Sequence, residues 1–166
     1  TDTFYKCIKL QNVSIGDSAT SINDYAFYKC SNLTDVSFGV SVKTIGYKAF
    51  QGCSSLENMS IPASVASIGA SAFYQCSNLT DVSIPDSVNS IILRKTFAEC
   101  SNLTDVSIGN SVKTIDYYAF WRCESLTDVT IPDSATSIND YAFEGCDNLE
   151  TITIGKSVES IGYIVF

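Results

Sequence analysis

Histidine is absent from this 166-residue chain, and tryptophan and methionine occur once each. Without histidine there is no Ser-His or Cys-His pair to activate a nucleophile. The common nitrogen ligand of zinc is missing too, and no two cysteines stand in Cys-x-x-Cys spacing. Catalysis has little to stand on, and neither a metal nor a cofactor is expected. The 3 prolines and 9 glycines are spread thinly, so no stretch has the composition of a flexible linker. No apolar run reaches the roughly 18 residues that a membrane-spanning helix needs. No basic start followed by an apolar stretch marks a signal peptide. Cations are scarce: 10 Lys and Arg stand against 18 Asp and Glu, a net charge of −8. Nucleic acid and anionic membrane surfaces are bound by an excess of Lys and Arg, so neither is an expected partner. A basic or neutral protein surface stays open as a partner.

What the chain does contain is a beat. Cysteines fall at 7, 30, 53, 76, 100, 123 and 146, spaced by 23 residues except for one gap of 24. Phenylalanine stands three residues before each of them, from Phe4 to Phe143, and again at Phe166. Leucine stands three residues after each, from Leu10 to Leu149. Ser18–Phe27 and Ser134–Phe143 agree at every position, which points to expansion by duplication. A fixed period of this size means a solenoid, in which each coil buries its apolar face against its neighbours. The expected organisation is one elongated array over 1–166, about seven 23-residue repeats, cut in mid-repeat at both ends. The resulting apolar cross-sections lead us to expect concentration-dependent end-to-end homodimers.

The repeating unit reads Leu-x-x-Val-x-Ile-(Pro/Gly)-x-Ser-Val-x-x-Ile-x-x-x-Ala-Phe-x-x-Cys. In the copy from Leu79, Val82 and Ile84 are two apart and share one side of a strand, with Asp81 and Ser83 on the other. Pro85 lacks the N–H that would continue the ladder and ends the strand. Ser-Val-Asn-Ser-Ile (87–91) suits a second short extended piece. Asn23, Gly46, Gly69 and Asp116 then favour a turn or a helix start. Ala26, Phe27 and Cys30 fall on one face of a short helical turn. Stacked copies would place matching residues in ladders: Phe27, Phe50, Phe73, Phe97 and Phe120 in one, Cys30, Cys53, Cys76, Cys100 and Cys123 in another.

This pattern resembles the BspA-like, or Treponema pallidum-type, leucine-rich repeat over essentially the whole chain. Cys76-Ser-Asn-Leu-Thr-Asp-Val-Ser-Ile-Pro-Asp-Ser-Val (76–88) carries it most clearly. The resemblance implies a curved α/β solenoid, here read as a right-handed superhelix with a parallel concave β-sheet, short strands, and short helical turns on the other side. It also implies surface or secreted proteins of mucosal bacteria and protozoan parasites that adhere to host proteins or to other cells. The motif carries no catalytic residues, and none are transferred.

The cysteines read as a ladder of buried thiols, each a small apolar group donating weakly to a backbone carbonyl. Disulfides between adjacent coils are the alternative. They are disfavoured by parallel Cβ directions and by the odd count.

Candidate binding residues lie where the copies differ and face out. Two columns flank the inward strand residues, and on the family's geometry they line the concave face. One holds Asn12, Asp35, Asn58, Asp81, Asp105, Asp128 and Thr151; the other holds Ser14, Ser37, Ser60, Ser83, Ser107, Thr130 and Thr153. They read as a solubilising face, as a docking surface for a basic or hydroxyl-rich partner (Asp35, Ser37, Asp81, Ser83, Asp105, Ser107, Asp128), or as a calcium site that lacks any EF-hand or RTX spacing. A second candidate follows each Phe, where Tyr28, Tyr74, Trp121 and Arg122 form either a half-buried cover for the core edge or an interaction stripe, Tyr, Trp and Arg being enriched at binding hot spots. Ile92-Leu93-Arg94-Lys95-Thr96 stands where other copies have Gly-x-x-Ala, and here we place the one extra residue of the 24-residue gap. It reads as a neutral bulge, a contact site or a local change of curvature. Five Asn-x-Ser/Thr sites, at Asn12, Asn32, Asn58, Asn78 and Asn102, would accept glycans in a eukaryotic secretory route.

Three roles remain open. The chain reads first as a non-enzymatic cell-surface or secreted module for adhesion and protein recognition, its partner a host extracellular or cell-surface protein. It reads next as a structural spacer or stalk without a ligand, and third as a substrate-binding accessory module of a larger enzyme. This segment itself is not expected to insert into a membrane.

Overall fold

A computed structural model describes residues 3–88 and 91–166, and its backbone is wound into a solenoid of parallel strands. Each coil contributes a first strand in which exposed residues flank an inward one, buried at Val36, Met59, Val82 and Val129 and half-buried at Val13, Val106 and Ile152. These are β1 (Asn12–Ser14), β3 (Asp35–Ser37), β5 (Asn58–Ser60), β7 (Asp81–Ile84), β9 (Asp105–Ile108), β11 (Asp128–Thr130) and β13 (Thr151–Thr153). Strand β1 pairs with β3, and β5, β7, β9, β11 and β13 form a continuous five-stranded sheet, all parallel. The register joins identical slots: Met59 to Val82, Val82 to Val106, and Val106 to Val129. Each coil then turns a corner, closed by a bond such as Val65 N–H to the Pro62 carbonyl. A two-residue strand follows: β2 (Ser21–Ile22), β4 (Thr44–Ile45), β6 (Ser67–Ile68), β8 (Ile91–Ile92), β10 (Thr114–Ile115), β12 (Ser137–Ile138) and β14 (Ser160–Ile161). These pair in parallel as β2-β4-β6 and β8-β10-β12-β14. The second extended piece is therefore shorter than the Ser-Val-x-x-Ile run suggests, because Val42, Val65 and Val88 belong to the corner turns.

The third side of the coil corrects the expectation of helical turns: no helix forms among the described residues. Two positions per coil hold the backbone in the left-handed region. One column is Tyr25, Lys48, Ser71, Lys95, Tyr118, Tyr141 and Ile164; the other is Lys6, Lys29, Gly52, Gln75, Glu99, Arg122 and Gly145. A right-handed helix cannot run through such residues. Alternate N–H groups turn outward instead and bond to the adjacent coil, as Tyr25 to Tyr47, Phe27 to Ala49 and Lys29 to Gln51. The intervening N–H groups close tight local turns, as Ala26 to Asn23, Tyr28 to Tyr25 and Cys30 to Phe27. The N–H groups of this side are thereby paired alternately along the axis of the array and within the coil, a pattern a helix does not make.

The extra residue lies elsewhere than the sequence suggested. Pairing of Thr114 with Ile91 and Ile115 with Ile92 puts Ile92, not Ile91, in the slot of Ile68 and Ile115. Leu93-Arg94-Lys95-Thr96 then matches Gly69-Ala70-Ser71-Ala72 residue for residue. The offset arises between Val88 and Ile91; Asn89 and Ser90 lie outside the described residues.

The core runs along the axis. Phe27, Phe50, Phe73, Phe97, Phe120 and Phe143 are buried and stack ring on ring, with centroids 5.1–5.5 Å apart and planes within 9°. The separation exceeds the ~4.8 Å strand spacing, so the rings are offset, the preferred arrangement of aromatic pairs. Leu33, Leu56, Leu79, Leu103 and Leu126 make a parallel buried column.

Candidate functional site

The thiols form the innermost polar ladder. Cys30, Cys53, Cys76, Cys100 and Cys123 are fully buried, and none of the seven cysteines is in a disulfide. Each of these five, and Cys146, donates to the carbonyl of the phenylalanine 26 or 27 residues earlier, at 3.0–3.3 Å. Burial is the main cause that pushes their ionisation up, to about 12 at Cys100 and Cys146. Such thiols are neither nucleophiles nor metal ligands at neutral pH.

The strand face carries the two exposed columns. Asp35, Ser37, Asp81, Ser83, Asp105, Ser107 and Asp128 are all exposed. Asp81, Asp105 and Asp128 sit in direct register on adjacent strands, so three carboxylates repeat at the strand spacing. Thr80 and Thr104 hydroxyls brace the first two, at 2.7 and 3.1 Å. A shallow depression between Asn58, Ser60, Asp81, Ser83, Asp105 and Ser107 has Met59 and Val82 in its lining. The face offers short polar side chains over a rigid ladder. Among the described residues no group of acidic or thiol side chains could hold a metal ion.

The turn face brings together more than the sequence indicated. Tyr28, Tyr74 and Trp121 are half-buried and Arg122 is exposed. Trp121 Nε1–H donates to Glu144 at 2.9 Å. The Tyr74 hydroxyl donates to Glu99 Oε1 at 2.8 Å and Gln75 Nε2 to Glu99 Oε2 at 2.9 Å. Burial first, and then the Glu99 carboxylate, push the Tyr74 hydroxyl up to about 12. Lys95 Nζ lies 5.7 Å from the Tyr74 ring, 5.3 Å from Tyr118 and 5.6 Å from Trp121. Arg122 caps Trp121 at 4.6 Å and Arg94 caps Tyr118 at 5.6 Å. Tyr28 stands apart from this group, stacked on Tyr5 and capped by Lys29. Sequence reasoning missed Glu99 and Glu144, and it left Arg94 and Lys95 as one of three readings of an odd copy. The signal was available: the column reads Tyr74, Ala98, Trp121, and small, buried Ala98 leaves a gap between two large rings. Lys95, on the same coil as Ala98, fills it.

Beside this cluster a groove of about 680 Å³ follows the array, lined among others by Lys6, Lys29, Gln75, Glu99, Arg122 and Glu124. Its wall is the left-handed column before each cysteine. At Gly52 (φ 74°) that wall carries no side chain.

Residues 1–94 and 91–166 match the BspA type leucine rich repeat region, in 6 copies. The chain belongs to the BspA-type leucine-rich repeat proteins. A leucine-rich repeat protein of Bacteroides ovatus superposes with a TM-score of 0.90 at 32% identity, over 95% of this chain and 41% of that one. The T. pallidum leucine rich repeat protein gives 0.84 at 34% identity, over 93% and 74%. A leucine rich cell surface protein of Faecalibacterium prausnitzii, 23% identical with a TM-score of 0.50 over 98% and 62%, shares the fold alone. This chain therefore spans less than half the length of the Bacteroides protein. None of the curated proteins matches it. Among the described residues, no helix is long and apolar enough to cross a membrane. The BspA-type coil explains why the invariant slots are the buried ones. They stack on their own copies, and the exposed slots are free to differ.

Proposed function

We infer that this BspA-type array is a non-enzymatic recognition module of a cell-surface or secreted protein, mediating adhesion to a host or neighbouring-cell protein. One observation carries the reading: the strand ladder presents Asp35, Asp81, Asp105 and Asp128, with Ser37, Ser83 and Ser107, as an exposed, regularly spaced acidic and hydroxyl face on rigid backbone. In this reading the array is a right-handed superhelix and this face is its concave side. A preformed face loses little entropy on binding, and its chemistry suits a basic or hydroxyl-rich protein. The uniformity of the columns also favours a second reading, a stalk with no ligand of its own.

The experiment is surface plasmon resonance of the array against a panel of host extracellular proteins, beside a variant carrying Asp81→Lys, Asp105→Lys and Asp128→Lys. Recognition predicts saturable binding to a basic member, lost in the variant. No saturable binding by any member leaves the stalk.

A further inference from the structure

The turn face concentrates positive charge in an acidic chain. Both arginines of the protein, Arg94 and Arg122, lie in one cluster with Lys95, although the net charge is −8. These cations are held over Tyr74, Tyr118 and Trp121 rather than by carboxylates. Among the described residues the only ion pair is Lys156 with Asp133, at 2.9 Å. The acids nearest the cluster are engaged otherwise: Glu99 accepts from Tyr74 and Gln75 with its two oxygens, and Glu144 accepts from Trp121. Positive charge is thus fixed in place on rigid aromatic supports, beside Glu99 and Glu144 carboxylates that accept from neutral donors and form no ion pair with it among the described residues.

The groove extends this charge. It leaves Arg122, passes Glu99 and Gln75, opens at Gly52, and ends at Lys29 and Lys6. Its five coil steps, at ~4.8 Å each, span roughly 24 Å, the length of about seven residues of extended polypeptide. Glu124 is the one acidic side chain of the lining without a hydrogen bond to its carboxylate among the described residues.

We propose that the Arg94–Lys95–Trp121–Arg122 cluster and its groove form a second interaction site, apart from the strand face, that binds an extended acidic polypeptide segment. Arginine's planar fork pairs with carboxylates through two bonds. Desolvated Trp, Tyr and Arg anchors are the usual centres of protein interfaces. The partner for this face is opposite in charge to the one the strand face suits, so one array engages two different chains.

Trp121 is the only tryptophan, so its emission reports on this site alone. The experiment titrates the whole chain with N-acetylated octa-glutamate at low salt and follows Trp121 fluorescence, with a heparin octasaccharide and octa-lysine as the other probes. Octa-glutamate produces a saturable change that weakens as salt is raised. Arg94→Gln with Arg122→Gln weakens it at least about tenfold, whereas Lys43→Gln with Lys113→Gln, exposed residues outside the groove and cluster, leaves it unchanged. Glu124→Gln tightens it. Unchanged circular dichroism confirms that each variant folds. No saturable change, or equal loss in the Lys43/Lys113 variant, overturns the site. Tighter binding of heparin than of octa-glutamate overturns the polypeptide in favour of a sulfated glycan. Self-association that Arg94→Gln with Arg122→Gln abolishes, with octa-glutamate inert, overturns it in favour of a second copy of the chain.

Discussion

Truncating Phe73 to Ala tests the axial core where it is most continuous. The Phe73 side chain is fully buried, with Phe50 on one face (5.4 Å, 2°) and Phe97 on the other (5.3 Å, 3°). Removing a buried ring costs about 3–5 kcal/mol. Two stacked pairs disappear together, each worth roughly 0.5–1.5 kcal/mol beyond area burial, which puts Phe73→Ala near the top of that range. Phe166 is the comparison. It is 53% exposed and stacks on Phe143 alone, at 5.8 Å and 15°. Phe166→Ala should therefore cost only about 1 kcal/mol. Equilibrium urea unfolding would be followed by far-ultraviolet circular dichroism and by Trp121 fluorescence. The two curves coincide if the array unfolds as a unit, and they separate if removing Phe73 divides it into halves. Costs for Phe73→Ala and Phe166→Ala within about 0.5 kcal/mol of one another would refute the stacked core.

Three further outcomes follow from the same geometry. Native protein should show one fast-reacting thiol with Ellman's reagent, exposed Cys7, while the five fully buried cysteines react only on unfolding; three or more fast thiols would contradict the ladder. Because burial raises the folded-state ionisation of Cys100 and Cys146 from 9.0 to about 12, their contribution to stability is complete below pH 9 and is lost as pH rises towards 12. The unfolding free energy from urea titrations should fall over that window, by up to ~1.4 kcal/mol per pH unit for each such thiol, and less steeply in Cys100→Ala. Lys29 holds φ 55° and is exposed, so Lys29→Val, with a β-branched side chain in the left-handed region, should destabilise by about 1–3 kcal/mol while Lys29→Gly is tolerated; thermal melts that rank the two the other way would remove the left-handed column from the account.

The period was plain in the sequence because each residue's nearest neighbour in space is its own copy 23 or 24 positions away, so one environment is written seven times. Alternation in Asp81-Val82-Ser83-Ile84 also read correctly as a strand, since period 2 has no rival explanation over four residues. Ala26-Phe27-x-x-Cys30 misled. A spacing of four fits a helix face, but it equally fits a turn whose alternate N–H groups bond to the next coil. Nothing in a single copy distinguishes a local partner from one 22 residues away, and Tyr, Lys and Glu in left-handed positions do not announce themselves as glycine would. The extra residue was misplaced because Ile91 and Ile92 are adjacent and chemically equal, and only the pairing of Ile92 with Ile115 decides between them. The turn-face cluster was legible in part: Trp121 and Arg122 stood out by type, while Lys95, Glu99 and Glu144 acquire meaning only when four coils are stacked.

Scalar couplings across hydrogen bonds, measured by nuclear magnetic resonance, test most directly whether the third side of each coil is an axial ladder. The structure predicts couplings from the N–H of Phe27 to the carbonyl of Ala49, Phe50 to Ala72, Phe73 to Thr96, Phe97 to Ala119 and Phe120 to Ala142, all at 2.8–2.9 Å. Couplings between residues four apart within Asn23–Cys30 and its copies, with the long-range set missing, would mean helices on that side and would contradict the fold described above.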